Sequence, residues 1–186
     1  MLREIYLVRH GEVASEYRGR YLGHRTDPPL DPEGKKGLEP LRSLHCDVVF
    51  VSPSRRAVET AEFIPAPPCF DVRIREIDFG RWDNRTFAEI EPEATSDQMR
   101  LWAEASPEMV FPEGERVGDF FDRIDAFLAD LLVRSEGSAA IVSHCWTIGR
   151  IYEVLTRIRG GRRIERGEVV SLRREPHDPL WKEFTP

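Results

Sequence analysis

Three short apolar runs punctuate the chain: Ile5-Tyr6-Leu7-Val8, Val48-Val49-Phe50-Val51 and Ala139-Ala140-Ile141-Val142. Each is continuous rather than alternating. That pattern predicts strands covered on both faces, as in a largely parallel sheet. Each run stops at a polar or basic group: Arg9-His10-Gly11, Ser52-Pro53-Ser54-Arg55-Arg56 and Ser143-His144. Val169 to Leu172 predicts a further strand, and Asp71 to Arg75 another with fewer apolar residues.

Helical spacing fills the intervals. Asp31-Pro32-Glu33 opens one helix, with Asp31 able to cap it and Pro32 suited to its first turn. Leu38, Leu41 and Leu44 then share a face. A second helix is expected from Ser54 to Ile64, ended by the prolines that follow. The longest runs from Glu115 to Arg134, where Val117, Phe120, Phe121, Ile124, Phe127, Leu128, Leu131 and Leu132 recur at helical spacing. A last helix should follow Cys145 and end near Gly160-Gly161. Residues 82 to 114 are irregular, with a helix around Thr95 to Glu104. Strands alternating with helices predict an α/β three-layer sandwich, a mostly parallel central sheet flanked by helices, in a single domain over 1–186.

Ligands of open α/β sheets bind at the carboxyl ends of the strands. If the three apolar strands are neighbours, Arg9, His10, Arg55 or Arg56, and His144 meet in one crevice. Singly, each has a plainer explanation, since a histidine after a strand is usually a hydrogen-bonded structural residue. An arginine pair at a helix start is opposed by the helix dipole unless an anion lies there. Together they describe a cationic pocket suited to a phosphate.

Composition sharpens this. The 27 Lys and Arg against 33 Asp and Glu give a net charge of −6, which argues against a nucleic-acid partner. Apart from Lys35, Lys36 and Lys182, every one of those bases is arginine, whose planar fork suits bidentate phosphate binding. Cys46, Cys69 and Cys145 form no CxxC pair, so neither a zinc knuckle nor a disulfide framework is expected. Reduced thiols, no secretory apolar region and no run of membrane-spanning length suggest a cytoplasmic protein without a membrane partner. Oligomeric state is not readable.

The motif Leu7-Val8-Arg9-His10-Gly11-Glu12 resembles the signature of the histidine phosphatase superfamily, which includes phosphoglycerate mutases and many small phosphatases. Other blocks match in order: Gly19-Arg20-Tyr21-Leu22-Gly23-His24 with Asp27-Pro28-Pro29-Leu30, Ser54-Arg55-Arg56-Ala57, Arg75-Glu76-Ile77-Asp78-Phe79-Gly80, Pro112-Glu113-Gly114-Glu115 and Val142-Ser143-His144. The resemblance implies the following roles. His10 attacks phosphorus and becomes a phosphohistidine. Arg9 and Arg56, rather than Arg55, clamp the phosphate. His144 donates to a phosphate oxygen as the cation. Glu76 protonates the leaving alcohol and then activates water, which requires a raised pKa. Gly11, Arg20 and Gly23 join Arg9, Arg56 and His144 as expected substrate contacts. No metal and no cofactor are implied.

Three departures from the family pattern stand out: Glu16 and Leu22 each replace a polar phosphate contact, and the pair Cys145-Trp146 replaces two glycines. Trp146 is expected either to wall the pocket or to pack on the sheet. The compact chain looks most like the short phosphatases, especially the α-ribazole phosphatase-like group. That implies a phosphomonoester hydrolase for a small phosphorylated metabolite, with α-ribazole 5′-phosphate as a candidate. The alternatives are a phosphoglycerate mutase-type phosphoryl transferase and a non-catalytic phosphate-binding regulator. A metal hydrolase on His10, His24 and His144, or a Cys145 nucleophile, fits the residues less well. Arg157 to Arg174 reads as solvated surface.

Overall fold

A computed structural model describes residues 2–134, 137–160, 162–176 and 178–185. Its strands are β1 (Leu2–Arg9), β2 (Arg20–Tyr21), β3 (Val48–Val51), β4 (Pro68–Phe70), β5 (Arg85–Thr86), β6 (Gly137–Ser143), β7 (Val169–Arg173) and β8 (Lys182–Glu183). Its helices are α1 (Pro32–Lys36), α2 (Arg55–Ala61), α3 (Phe87–Ile90), α4 (Ser96–Ala103), α5 (Val117–Arg134) and α6 (Cys145–Thr156).

Among the described residues one sheet has six strands in the order β4-β3-β6-β1-β7-β8, and β2 pairs with β5 separately. Strands β4, β3, β6 and β1 run parallel, while β7 and β8 are antiparallel additions at one edge. The expected α/β architecture, with its mostly parallel central sheet, is therefore present.

Side chains of the central strands divide between two cores, as alternation across a pleat requires. Ile5, Leu7, Ala139 and Ile141 point to the layer containing α5 and α6, with Phe120, Ile124, Ile148 and Ile151. Tyr6, Val8, Ala140, Val142, Val49 and Val51 point to the other layer, with Leu38, Leu41 and Ala57. Burial on both faces is why these strands read as unbroken apolar runs.

Register then sets the site. Arg9 pairs with Ser143, and Val51 pairs with Val142. The next residues, His10, His144 and Ser52, therefore leave three adjacent strands at one level. Two backbone bonds fix that level, from His10 N to Ser143 O at 2.9 Å and from Ser52 N to Val142 O at 3.0 Å.

Several boundaries differ from the sequence expectation. Asp31 does cap α1, accepting from Glu33 N with Pro32 at the first position, but the helix ends at Lys36. A 3₁₀ turn over Glu39–Ser43 replaces the rest, because Gly37 and Pro40 both oppose a continuing helix. Leu38 and Leu41 are buried nonetheless. Asp71 to Arg75 is not a strand. The strand is β4 just before it, and Val72–Ile74 is a 3₁₀ turn whose Asp71 cap accepts from Arg73 N. Helix α2 stops at Ala61, and α6 stops at Thr156 with Arg157 in the left-handed conformation. Of the expected Gly160-Gly161 terminus, Gly161 lies outside the described residues. No described helix is long and apolar enough to cross a membrane.

Candidate active site

At the carboxyl ends of β1 and β6 lies a cavity of about 280 Å³. Arg9, His10 and Glu76 line it, together with Arg20, Leu22, Cys145 and Trp146. His10 is nearly buried, and its Nδ1 lies 2.9 Å from the carbonyl of Gly11. A carbonyl can only accept, so Nδ1 carries the hydrogen and a neutral ring keeps its free lone pair on Nε2. Burial, then the Arg56 charge, holds the His10 pKa well below the usual histidine value, although the Gly11 bond opposes the shift. Together these make His10 a neutral imidazole at neutral pH.

The His144 ring lies 5.2 Å from that of His10, centroid to centroid. Its Nε2 is 2.8 Å from Ser52 Oγ, while Nδ1 is buried without a hydrogen-bond partner. Burial, then Arg56, His10 and Arg9, pushes the His144 pKa well below its usual value. The protein's own groups thus favour the neutral ring, against the sequence expectation of a cation. The physical reason is first the burial of the ring, which penalises its charged form, and then the positive charge that the neighbouring arginines already supply.

Arg56, not Arg55, points inward. Its side chain is fully buried, and its terminal nitrogens donate to the carbonyls of Leu22, Gly23 and Thr26 and to Asp27 Oδ1. Only Nε lacks a partner. Arg55 instead pairs with Glu59 on the surface at 2.7 Å. Arg9 donates through Nη1 to Ile164 O at 2.9 Å, and its Nε is also unpartnered. Buried polar groups are ordinarily satisfied. Among the described residues the buried side-chain atoms without partners are Arg9 Nε, Arg56 Nε, His144 Nδ1 and Asp83 Oδ1. Three of these four belong to Arg9, Arg56 and His144, the residues to which the family resemblance assigns phosphate contacts.

Glu76 is buried below the mouth of α6. Its Oε2 accepts from Trp146 N at 3.1 Å and its Oε1 from Ile77 N at 3.1 Å. Burial raises its pKa, and it outweighs those two N–H groups and the arginines Arg56 and Arg9, which pull the other way. A carboxyl whose pKa is raised and an imidazole whose pKa is lowered therefore line the same cavity, and opposite shifts of this kind suit acid–nucleophile chemistry.

Other expected contacts are placed differently. The Gly11 amide donates to Thr60 Oγ1 at 2.9 Å, and a Cβ there would press on Leu38 at 2.9 Å. Gly11 is thus a packing position. Gly23 is not among the lining residues, and its amide donates to Asp83 Oδ2 at 3.0 Å. Arg20 lines the cavity, but its guanidinium is held by Glu16 O, Asn84 O and Glu89. Glu16 is exposed and does not line the cavity, which removes the repulsion that its position implied. Trp82, Trp102, Met109 and Phe111 are core residues, with Trp82 and Trp102 stacked at 5.1 Å.

Tyr21, Phe79, Arg163 and Arg166 also line the cavity, beyond what the sequence patterns indicate. The two arginines correct the reading of 157 to 174 as mere solvated surface. The loop that bears them is tied down by the Arg9–Ile164 bond and by Gly167 N on Arg9 O at 3.0 Å. The available signal is the cluster Arg162-Arg163…Arg166, which falls after the last helix and before β7. Burial raises the Cys145 pKa, so the thiol is not activated. His24 pairs with Asp78 at 3.4 Å, away from the cavity lining. No described His, Cys, Asp and Glu residues cluster in threes to hold a metal ion.

The fold is an α/β sheet with a cavity at its carboxyl edge lined by His10 and by Arg9, Arg20, Arg163 and Arg166, while His144 and Arg56 are buried outside that lining. The model of the histidine phosphatase superfamily (branch 1) matches residues 5–182, and the chain belongs to that family. It is 31% identical over 158 residues to phosphoserine phosphatase 1 of Hydrogenobacter thermophilus, covering 80% of this chain and 74% of that one. It is 32% identical over 156 residues to the probable phosphoglycerate mutase GpmB of Salmonella choleraesuis, covering 78% and 71%. Among solved structures, TTHB049 from Thermus thermophilus superposes with a TM-score of 0.76 at 26% identity, covering 91% of this chain and 92% of that one. The α-ribazole phosphatase from Shigella flexneri shares the fold, with a TM-score of 0.77 at 22% identity over 97% and 94%.

Proposed function

We propose that the protein is a metal-independent phosphomonoester hydrolase working through a phosphohistidine at His10. The observation that carries this reading is the pairing of His10, its Nε2 lone pair free, with the buried, pKa-raised Glu76 in one cavity. Nε2 attacks phosphorus as the bond from phosphorus to the alcohol oxygen breaks, and the Glu76 proton passes to that oxygen. The Glu76 carboxylate then takes a proton from water while the water oxygen attacks phosphorus and the P–N bond breaks. Arg9 Nε, Arg56 Nε and His144 Nδ1 stabilise charge on the phosphoryl oxygens. A bound dianion also offsets the two arginines and raises the His144 pKa, so that His144 donates as the cation during the reaction.

The substrate is a small phosphorylated metabolite. Tyr21, Phe79 and Trp146 on the wall suit a leaving group with a flat ring, and α-ribazole 5′-phosphate is the first candidate. Phosphoserine and the phosphoglycerates follow from the names of the relatives. Hydrolysis rather than mutase-type transfer is favoured because Arg163, one of the lining residues, has a side chain that is 80% exposed and so brings water to the cavity wall.

The test is a phosphomonoester panel containing these compounds, run without added metal on wild type and His10→Ala. Wild type should release phosphate from at least one compound and the variant from none. Activity retained in His10→Ala overturns the reading, and so does transfer between two alcohols without phosphate release.

A further inference from the structure

Arg123 lies on α5, outside the cavity lining, yet all five of its N–H groups are committed. Nη1 donates to the carbonyls of Arg73 at 2.6 Å and Arg75 at 2.8 Å. Nη2 donates to the carbonyl of Glu76 at 3.1 Å and to Glu115 Oε2 at 3.0 Å. Nε donates to Glu115 Oε1 at 2.7 Å. Glu115 reaches the same segment from its other side. Its Oε2 accepts from Asp78 N at 3.2 Å, and its backbone N donates to Asp78 O at 2.9 Å.

The segment 73–78 has no sheet ladder to hold it, so its carbonyls need other donors. Ser143 Oγ takes Ile74 O at 2.7 Å, and Thr147 Oγ1 shares Arg75 O at 3.0 Å. Arg123 serves three of the four carbonyls from 73 to 76. Close backbone packing completes the clamp, since Gly80 (φ +57°) and Gly114 lie so near each other's segments that a Cβ on Gly114 would meet Asp78 O at 2.4 Å. The Glu76 carboxyl itself is held by Trp146 N, Ile77 N and a long contact of 3.4 Å from Thr147. None of these partners is a charged side chain, so the direction of the carboxyl depends on the backbone beneath.

We infer that Arg123, oriented by Glu115, is a positioning residue that aims the Glu76 carboxyl at the leaving-group oxygen above His10. This rests on the proton-donor reading of Glu76. A lysine cannot substitute, because its point charge cannot reach three carbonyls and a carboxylate in one plane.

The experiment compares Arg123→Lys, Glu115→Gln and Glu76→Gln with wild type. One substrate is p-nitrophenyl phosphate, whose leaving group needs no proton. The other is glycerol phosphate, whose alkoxide does. Thermal melts verify that each variant is folded at the assay temperature. Rapid-quench measurement of phosphoenzyme formation reads the first step alone.

For Arg123→Lys the expected result is a loss of roughly ten- to a hundredfold in that step with glycerol phosphate, part of the ~10²–10⁴ that a positioned acid contributes. With p-nitrophenyl phosphate the step should change less than about threefold, and KM should hold for both. Glu115→Gln should show the same selectivity more weakly. Equal losses on both substrates, no loss, or failure of both variants to fold would make the pair a fold element and overturn the inference. If Glu76→Gln itself shows no leaving-group selectivity, the proton-donor reading fails instead.

Discussion

His10 and His144 face each other with centroids 5.2 Å apart and planes inclined by 58°, and each spends one ring nitrogen on a protein partner. Gly11 O holds His10 Nδ1, and Ser52 Oγ holds His144 Nε2. In the proposed mechanism the opposite nitrogens do the chemistry, Nε2 of His10 attacking and Nδ1 of His144 binding a phosphoryl oxygen. His144→Gln should therefore lower kcat by roughly 10²–10³, the effect of losing one oxyanion donor. Ser52→Ala frees the His144 ring to rotate and should cost less. Steady-state kinetics on a responsive phosphomonoester checks the order of the two effects.

Acid stability separates the buried groups by sign. The folded pKa values of His10 and His144 are depressed. Their contribution to stability is therefore whole above about pH 6.5, the unfolded histidine value, and is lost as pH falls from there through the folded values. Each group can contribute a slope of at most about 1.4 kcal/mol per pH unit. The folded pKa of Glu76 is raised, so its contribution is whole below about pH 4.3 and is lost as pH rises through the folded value. Urea unfolding at pH 7.5 and 5.5 should show wild type less stable at the lower pH. His144→Gln should shrink the difference, whereas Glu76→Gln, which removes a group shifted with the opposite sign, should not.

Two adjacent arginines should behave oppositely. Arg56→Ala removes a buried guanidinium that holds the 22–27 loop. It should abolish measurable activity and cost roughly 3 kcal/mol or more. Arg55→Ala removes an exposed pair with Glu59, and should stay within about 1 kcal/mol with kcat retained. Denaturant melts and initial rates on both variants test the contrast.

Arg163 is the exposed charge on the cavity rim, 80% accessible beside Glu165. Its field should draw phosphate dianions inward and be screened by salt. Arg163→Ala should raise KM several-fold at low ionic strength with kcat unchanged. The difference should fade by about 0.5 M salt, where the Debye length shrinks to roughly 4 Å.

The parts of the fold legible in the sequence are those that burial dictates. Strands β1, β3 and β6 are enclosed on both faces, and His10 and His144 follow because parallel strands in register end together. The solvent-facing edge strand β4 carries no apolar run, since its Pro-Cys-Phe is exposed throughout. Three leucines at helical spacing suggest one helix there, but Pro40 breaks it. Glu76 comes from family resemblance, because a lone carboxylate in an irregular segment carries no periodic signal. Arg163 and Arg166 reach the cavity through a loop whose path depends on Arg9 bonding Ile164 O, a tertiary contact without a local pattern. Arg123 is hidden in ordinary helical spacing, and its five bonds are visible only when α5 is packed against the 73–78 segment.

The central claim is that phosphorus passes through His10. The most direct measurement is a rapid acid-free quench with ³²P-labelled substrate, followed by peptide mapping in alkali, where phosphohistidine survives and phosphoserine is lost. The account predicts stoichiometric label on the peptide containing His10, released by mild acid and absent from His10→Ala. Label on Cys145 or Ser52, or turnover by wild type with no labelled enzyme at any time point, would contradict it.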